Sequence, residues 1–179
     1  MTAPAQTALV FVLALTGTAH RSTDATALAR VASACPNAAT AAASPSAELQ
    51  AMMCGATVVR QSYRRAPLRP SAQLNHSALL KADAIRRCGF SHTPCGESFA
   101  RTFQQVGYLR GRRAFGENLA WGQSSLGSPV NMLGAWLRSP RHRANLLSGR
   151  WSQMGVAYER GNMLGHGGVS LWVMQFGSR

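Results

Sequence analysis

The sequence predicts an α+β domain. Stretches with helical spacing of apolar residues fill most of the chain up to residue 146, and two alternating segments close it as strands. Pro and Gly stand where those helices would begin and end.

Ala8 to Leu15 is an apolar run followed by Gly17-Thr18-Ala19, a small-x-small pattern. It is shorter than the roughly 20 apolar residues that span a bilayer. It reads as the core of a signal peptide over residues 1–19, although no Lys or Arg precedes it to form a basic n-region. Residues 20–45 are rich in Ala, Ser and Thr and read as a linker, with a weak helical bias over Ala25 to Ala34. The folded domain is expected from 46 to 179.

Ser46 to Arg64 fits a helix capped by Ser46, with Leu49, Met52 or Met53, Ala56 and Val59 on one face. Gln73 to Arg87 is a clearer helix, with Leu74, Ala78, Ala82 and Ile85 in one stripe and Gly89 beyond its end. Thr93-Pro94 is placed to cap and start a third helix through Val106, with Phe99 and Phe103 inward. Gly116 to Gly122 is ambiguous by pattern. Ser128-Pro129 starts another helix with Val130, Leu133, Trp136 and Leu137 inward. Ser139-Pro140 ends it and starts a short helix carrying His142 and Asn145, which Gly149 closes. Gly155 to Glu159 and Val169 to Phe176 alternate as strands around a Gly-rich loop.

Length suits one domain with a core that needs no metal to hold it. The formal charge of +13 comes from 18 arginines and one lysine against six acids. Such a surface attracts anionic partners, here an anionic cell-envelope polymer or lipid. The densest cluster, Arg110-Gly-Arg112-Arg113, has only Tyr108 and Phe115 nearby. That is poor aromatic interleaving for a single-strand nucleic-acid binder, and no nucleic-acid motif is present.

Three segments carry the chemistry. They are Phe90-Ser91-His92, Gly116-Glu117-Asn118, and the run from Trp136 through Ser139, Pro140, His142, Arg143 and Asn145. A carboxylate and two imidazoles from separate segments suit Zn²⁺ or another divalent cation, with water in an open position. They equally suit acid/base work at neutral pH, or a hydrogen-bonded cluster that pins three loops together. Asn118 and Asn145 belong to the same cleft set, as amides that satisfy turn backbone. Arg143 is a candidate partner for Glu117. The four tryptophans read as core or cleft wall.

In this order, with Met154-Gly155-Val156-Ala157-Tyr158 and Gln175-Phe176-Gly177 closing the chain, the motifs resemble the CAP superfamily. This is the SCP domain shared by cysteine-rich secretory proteins, antigen 5 and pathogenesis-related 1 proteins, and the match is closest to its bacterial branch. The resemblance runs from about Pro45 to Gly177. It implies an α-β-α sandwich with a short antiparallel sheet, and a cleft of two histidines and two acids. His92, Glu117 and His142 match three of those positions. Ser139 stands where the second acid is expected, and Glu97 is the one spare carboxylate near His92.

Cys88 and Cys95 flank His92, so two thiolates and an imidazole make a rival zinc set. In a secreted chain a Cys88–Cys95 disulfide is favoured instead, with Cys35 pairing Cys54, yet four cysteines allow three connectivities. No His-Glu-x-x-His is present, and Gly122-Gln-Ser124-Ser-Leu126 lacks the last glycine of a nucleophile elbow. The expectation is therefore a secreted or envelope-located binding module for a small ligand, a divalent metal or an anionic envelope component. The rivals are a metal-assisted hydrolase with Glu117 as general base, and a purely structural extracellular protein.

Overall fold

A computed structural model describes residues 9–41, 43–111 and 114–178, with side chains from residue 21 onward. The elements are α1 Leu9–Ala34, α2 Pro45–Ser62, β1 Arg69–Pro70, α3 Ala72–Cys88, α4 Arg101–Gln105, β2 Phe115–Gln123, α5 Pro129–Arg138, α6 Pro140–Leu146, β3 Gln153–Met163 and β4 His166–Gly177. The fold is α+β, with a four-stranded mixed sheet in the order β1-β3-β4-β2. β3 and β4 form an antiparallel hairpin, β2 lies antiparallel to β4, and β1 is a two-residue parallel addition to β3.

Alternation along the strands makes the sheet two-faced. Met154, Val156 and Tyr158 of β3 and Trp172, Met174 and Phe176 of β4 pack on one side, against a layer holding α1, α2, α5 and α6. Ala157, Leu171 and Val173 face the other way, onto Ala78, Ala82 and Ile85 of α3. The α3 layer sits very close. A Cβ on Gly155 would lie 2.1 Å from the Leu74 carbonyl carbon, so only glycine lets the helix backbone approach the strand there. Where β1 stops, Asn75 Oδ1 accepts the next strand N–H, that of Val156, at 3.0 Å.

Several expectations are corrected. The stretch read as a linker is helical to Ala34, and Ala27, Val31, Cys35 and Ala38 are buried in the main core. The reason is a close junction of α1, α2 and α5. A Cβ on Gly55 would lie 2.6 Å from Leu133 Cδ1 and 3.0 Å from Val31 Cγ1. The small residues of α1 therefore suffice to fill the seam. Residues 1–8 of the expected signal peptide lie outside the described residues, as do Arg112 and Arg113 of the basic cluster.

The cap of α2 is Ser44, whose Oγ accepts from Ala47 N, with Pro45 at the first helical position. The expected helix from Thr93 to Val106 is broken. Cys95 adopts φ 60°, and only a short 3₁₀ turn over Pro94–Gly96 precedes α4. The ambiguous Gly116–Gly122 segment is strand β2, which pairs with β4 along its whole length. The Gly-rich hairpin loop is far tighter than expected. Leu164 and Gly165, both at positive φ, form the two-residue turn between Met163 and His166.

Both disulfides are formed, Cys35–Cys54 and Cys88–Cys95, which selects one of the three possible connectivities. The zinc set built on Cys88 and Cys95 is thereby removed, since a disulfide sulfur is not a thiolate ligand.

Candidate functional site

The cleft lies at the start of the edge strand β2. Residues Phe115, Gly116 and Glu117 form its floor, the His92 loop and Phe99 one wall, and Ser139, Arg141, His142 and Asn145 the other. Its volume is about 570 Å³.

Strand alternation decides where each side chain goes. Glu117 points to the α3 side of the sheet and Asn118 to the α6 side. The Glu117 side chain is 0 % exposed, while His92, which meets it, is 49 % exposed. His92 Nδ1 lies 2.8 Å from Glu117 Oε1. The other carboxylate oxygen accepts from Gln175 Nε2 at 2.8 Å. Gln175 also donates to Thr102 Oγ1 at 3.3 Å, and Ser77 Oγ donates to the same hydroxyl at 3.0 Å. The carboxylate is thus tied through Gln175 and Thr102 to α4 and α3.

Lys81 was not singled out in the sequence reading and is integral to the site. It is the chain's only lysine and is 1 % exposed. Its Nζ donates to the His92 carbonyl at 2.7 Å and lies 5.8 Å from the centre of the Phe99 ring. Burial pushes the Lys81 ammonium down from its usual range, while the Glu117 and Glu97 carboxylates hold it up. A lone lysine among 18 arginines, one residue off the buried stripe of α3, was the available signal. Gln175 had a signal too. It falls on the inward register of β4, with Leu171 and Val173.

The opposite wall is set by α6. Ser139 stands at the N-cap position of α6, yet its side chain does not cap the helix. Its Oγ lies 2.9 Å from His142 Nδ1 instead. Burial, then repulsion from His92, pushes the His142 imidazole below its usual value. Asn118 is fully buried and does not line the cleft. Its Nδ2 donates to the His142 carbonyl at 2.9 Å and its Oδ1 accepts from Asn145 Nδ2 at 3.1 Å. Asn145 Nδ2 also donates to the Glu117 carbonyl at 3.1 Å. The two amides tie α6 to β2.

Arg60 on α2 holds the far end of α6. It donates to the carbonyls of Leu146 at 2.7 Å and Ser148 at 3.0 Å.

Two candidate roles are corrected. Arg143 does not meet Glu117. Its Nη1 pairs with both oxygens of Asp24 at 2.9 Å and its Nη2 donates to Tyr63 Oη. An arginine directly after His142 lies about 100° further round the helix, and its side chain reaches Asp24 of α1. Glu97 does not supply a fourth ligand either. It does not line the cleft, and its partner is Arg101 at 3.9 Å.

A divalent cation, one of three readings of the His92, Glu117 and His142 trio, can be weighed on the donor set. The Glu117 carboxylate is buried and turned to His92 and Gln175, and Ser139 replaces the second acid, so the cleft offers two imidazoles without an exposed carboxylate. Among the described residues no group of three His, Cys, Asp or Glu side chains is placed to hold a metal ion. As arranged, this donor set falls short of the three protein ligands of a catalytic zinc site.

A model of the cysteine-rich secretory protein family, CAP, matches residues 57–176. Three solved structures are similar in fold. An extracellular protein containing an SCP domain from Bacillus anthracis superposes with a TM-score of 0.61 at 20 % identity, over 76 % of this chain and 44 % of that one. An outer surface protein from Borrelia burgdorferi gives 0.64 at 19 %, over 76 % and 96 %. A cysteine-rich secretory protein from Staphylococcus aureus gives 0.57 at 14 %, over 77 % and 40 %. This chain therefore spans less than half of the first and third proteins. No curated protein matches it. The family match over residues 57–176 includes β2, α5, α6 and the closing hairpin, together with the Cys88–Cys95 loop, and the chain belongs to the cysteine-rich secretory protein (CAP) family.

Proposed function

We propose that the protein is an extracytoplasmic binding module whose cleft at His92, Glu117 and His142 takes a small ligand. The observation that carries this reading is the state of Glu117. Its carboxylate is fully buried and each oxygen accepts a hydrogen bond, from His92 and from Gln175, which leaves it no exposed edge to offer a cleft water. A general base must reach the proton it abstracts. Around this locked carboxylate the cleft keeps its own surface for a ligand, in the half-exposed His92, Arg141, His142, Phe99 and Phe115.

Location outside the cytoplasm is supported by the two disulfides, which persist in oxidising compartments. Among the described residues no helix is long and apolar enough to cross a membrane. Five of the six acids are paired with Arg or His, and the sixth, Glu48, is buried. The outer field is therefore positive and favours approach to anionic envelope material.

The experiment is a small-molecule screen by thermal shift and NMR on the oxidised chain. Binding should shift resonances of His92, His142 and Phe115, and His92→Ala should weaken it. Hydrolysis of peptide or phosphoester substrates that disappears in Glu117→Gln would overturn the binding reading in favour of an enzyme.

A further inference from the structure

We infer that the cleft selects an oxyanion, a carboxylate or phosphate carried on a flat apolar group, in place of a cation. This rests on the binding reading above and names its ligand class.

Charge favours an anion. Among the described residues the only carboxylate lining the cleft is Glu117, which is fully buried with each oxygen accepting a hydrogen bond. Against it stand the buried Lys81 ammonium behind the His92 loop and the Arg141 guanidinium on the opposite wall. Arg141 is exposed and makes no ion pair among the described residues, so its five N–H donors are available in a geometry that matches an oxyanion. The lining carries one guanidinium and one buried carboxylate; behind it lie the Lys81 ammonium and Glu97, whose charge Arg101 pairs, so the exposed charge of the cleft is that of Arg141.

Ser139 favours an anion as well. An acid at this position would be an acceptor only, and would keep the proton on His142 Nδ1. That leaves Nε2 with a bare lone pair, the form in which imidazole binds metal. A serine hydroxyl can donate to Nδ1 instead, at the observed 2.9 Å. In that tautomer Nε2 carries the proton and is a hydrogen-bond donor. The exchange of acid for serine thus removes a negative charge and opens to the second histidine a tautomer that donates to an anion, which an acid at this position would close.

The aromatic wall supplies the apolar part of the site. Phe99 and Phe115 stack with ring centres 5.5 Å apart and 22° between planes, and both line the cleft. They offer a flat apolar surface beside the donors. A ligand that satisfies both has its charge at Arg141 and His142 and a planar or aliphatic body against the two rings.

The test uses the full oxidised chain and four matched probes: benzoate, phenyl phosphate, benzyl alcohol and benzylamine. They are titrated by NMR, with Zn²⁺ in a separate arm. Benzoate or phenyl phosphate should bind about tenfold or more tightly than benzyl alcohol, and benzylamine should bind least. The stronger of the two oxyanions identifies the source as carboxylate or phosphate. Arg141→Gln, at an exposed site that leaves the fold intact, should weaken the oxyanions about tenfold and leave benzyl alcohol unchanged. Ser139→Glu should abolish oxyanion binding and bring in Zn²⁺.

If benzyl alcohol binds as tightly as benzoate, or benzylamine or Zn²⁺ binds best to the unmodified chain, the anion assignment is overturned while the binding module stands. If benzoate is unaffected by Arg141→Gln, the assignment is overturned as well. If no probe moves a cleft resonance, both readings fall.

Discussion

Glu117 and Gln175 are register partners across the β2–β4 ladder, and the Gln175 amide donates to Glu117 Oε2 at 2.8 Å from a fully buried position. A carboxylate inside a sheet is tolerable only when its lone pairs are satisfied, and here the neighbouring strand supplies one donor while the His92 loop supplies the other. The sheet itself thereby sets the geometry of the cleft floor.

Replacing that donor should be costly. Gln175→Leu leaves Glu117 Oε2 buried without a partner and should destabilise the fold by about 1–3 kcal/mol. Gln175→Glu places two carboxylates on paired positions and should cost more at neutral pH, with part of the loss recovered on acidification. Urea unfolding at pH 5 and pH 7.5 checks both. Equal stability of Gln175→Leu and the parent would remove the Glu117–Gln175 bond from the account.

His142 should titrate below the ordinary histidine value of 6.5, because burial and then His92 disfavour its charged form. The sign for stability follows. A lowered folded value means the unfolded chain binds more protons, so this group's contribution is intact above about pH 6.5 and is lost as pH falls from there through the folded value. Titration of the His142 ring protons measures the midpoint. His92→Ala should move it part of the way back up, since burial remains. The same spectra should show the proton of neutral His142 on Nε2.

Gly155→Ala should be among the most disruptive single changes. The added Cβ would meet the Leu74 carbonyl carbon at 2.1 Å and Asn75 N at 2.3 Å, both of them backbone atoms that no rotamer change can clear. A loss of about 3 kcal/mol or more is expected, read as a shifted midpoint in denaturant. A loss under 1 kcal/mol would show that α3 sits further from β3.

The N-terminal helix is held by two separate devices that should act additively. Asp24→Ala removes the partner of the half-buried Arg143 and should cost about 1–3 kcal/mol. Opening Cys35–Cys54, which spans 19 residues, should cost about 3 kcal/mol through the unfolded chain. The shorter Cys88–Cys95 closure, over seven residues, should cost less, about 2.5 kcal/mol, but should loosen the His92 loop selectively. Hydrogen exchange over residues 89–97 separates the two. Unchanged exchange there in Cys88→Ser/Cys95→Ser would show that Lys81 and Glu117 hold the loop unaided.

Local signals in the sequence were enough for much of the molecule. Apolar stripes placed α3 and α5, Pro129 and Pro140 placed the starts of α5 and α6, and alternation placed the β3–β4 hairpin. The histidine and Gly-Glu-Asn segments were legible as one constellation because their residue types are rare in this chain and their order resembles a known family. What tertiary structure alone decided depends on partners far along the chain. β2 has Gly116, Asn118 and Gly122 within it, poor strand formers that are held only by pairing with β4. Ala27 and Val31 look like linker until Gly55 and Leu133 close on them. Arg143 meets Asp24, 119 positions away in sequence, and Glu117 meets Gln175, 58 positions away. Helix periodicity and capping act over three or four residues and can be read from the string, whereas these pairings exist only once the layers have packed.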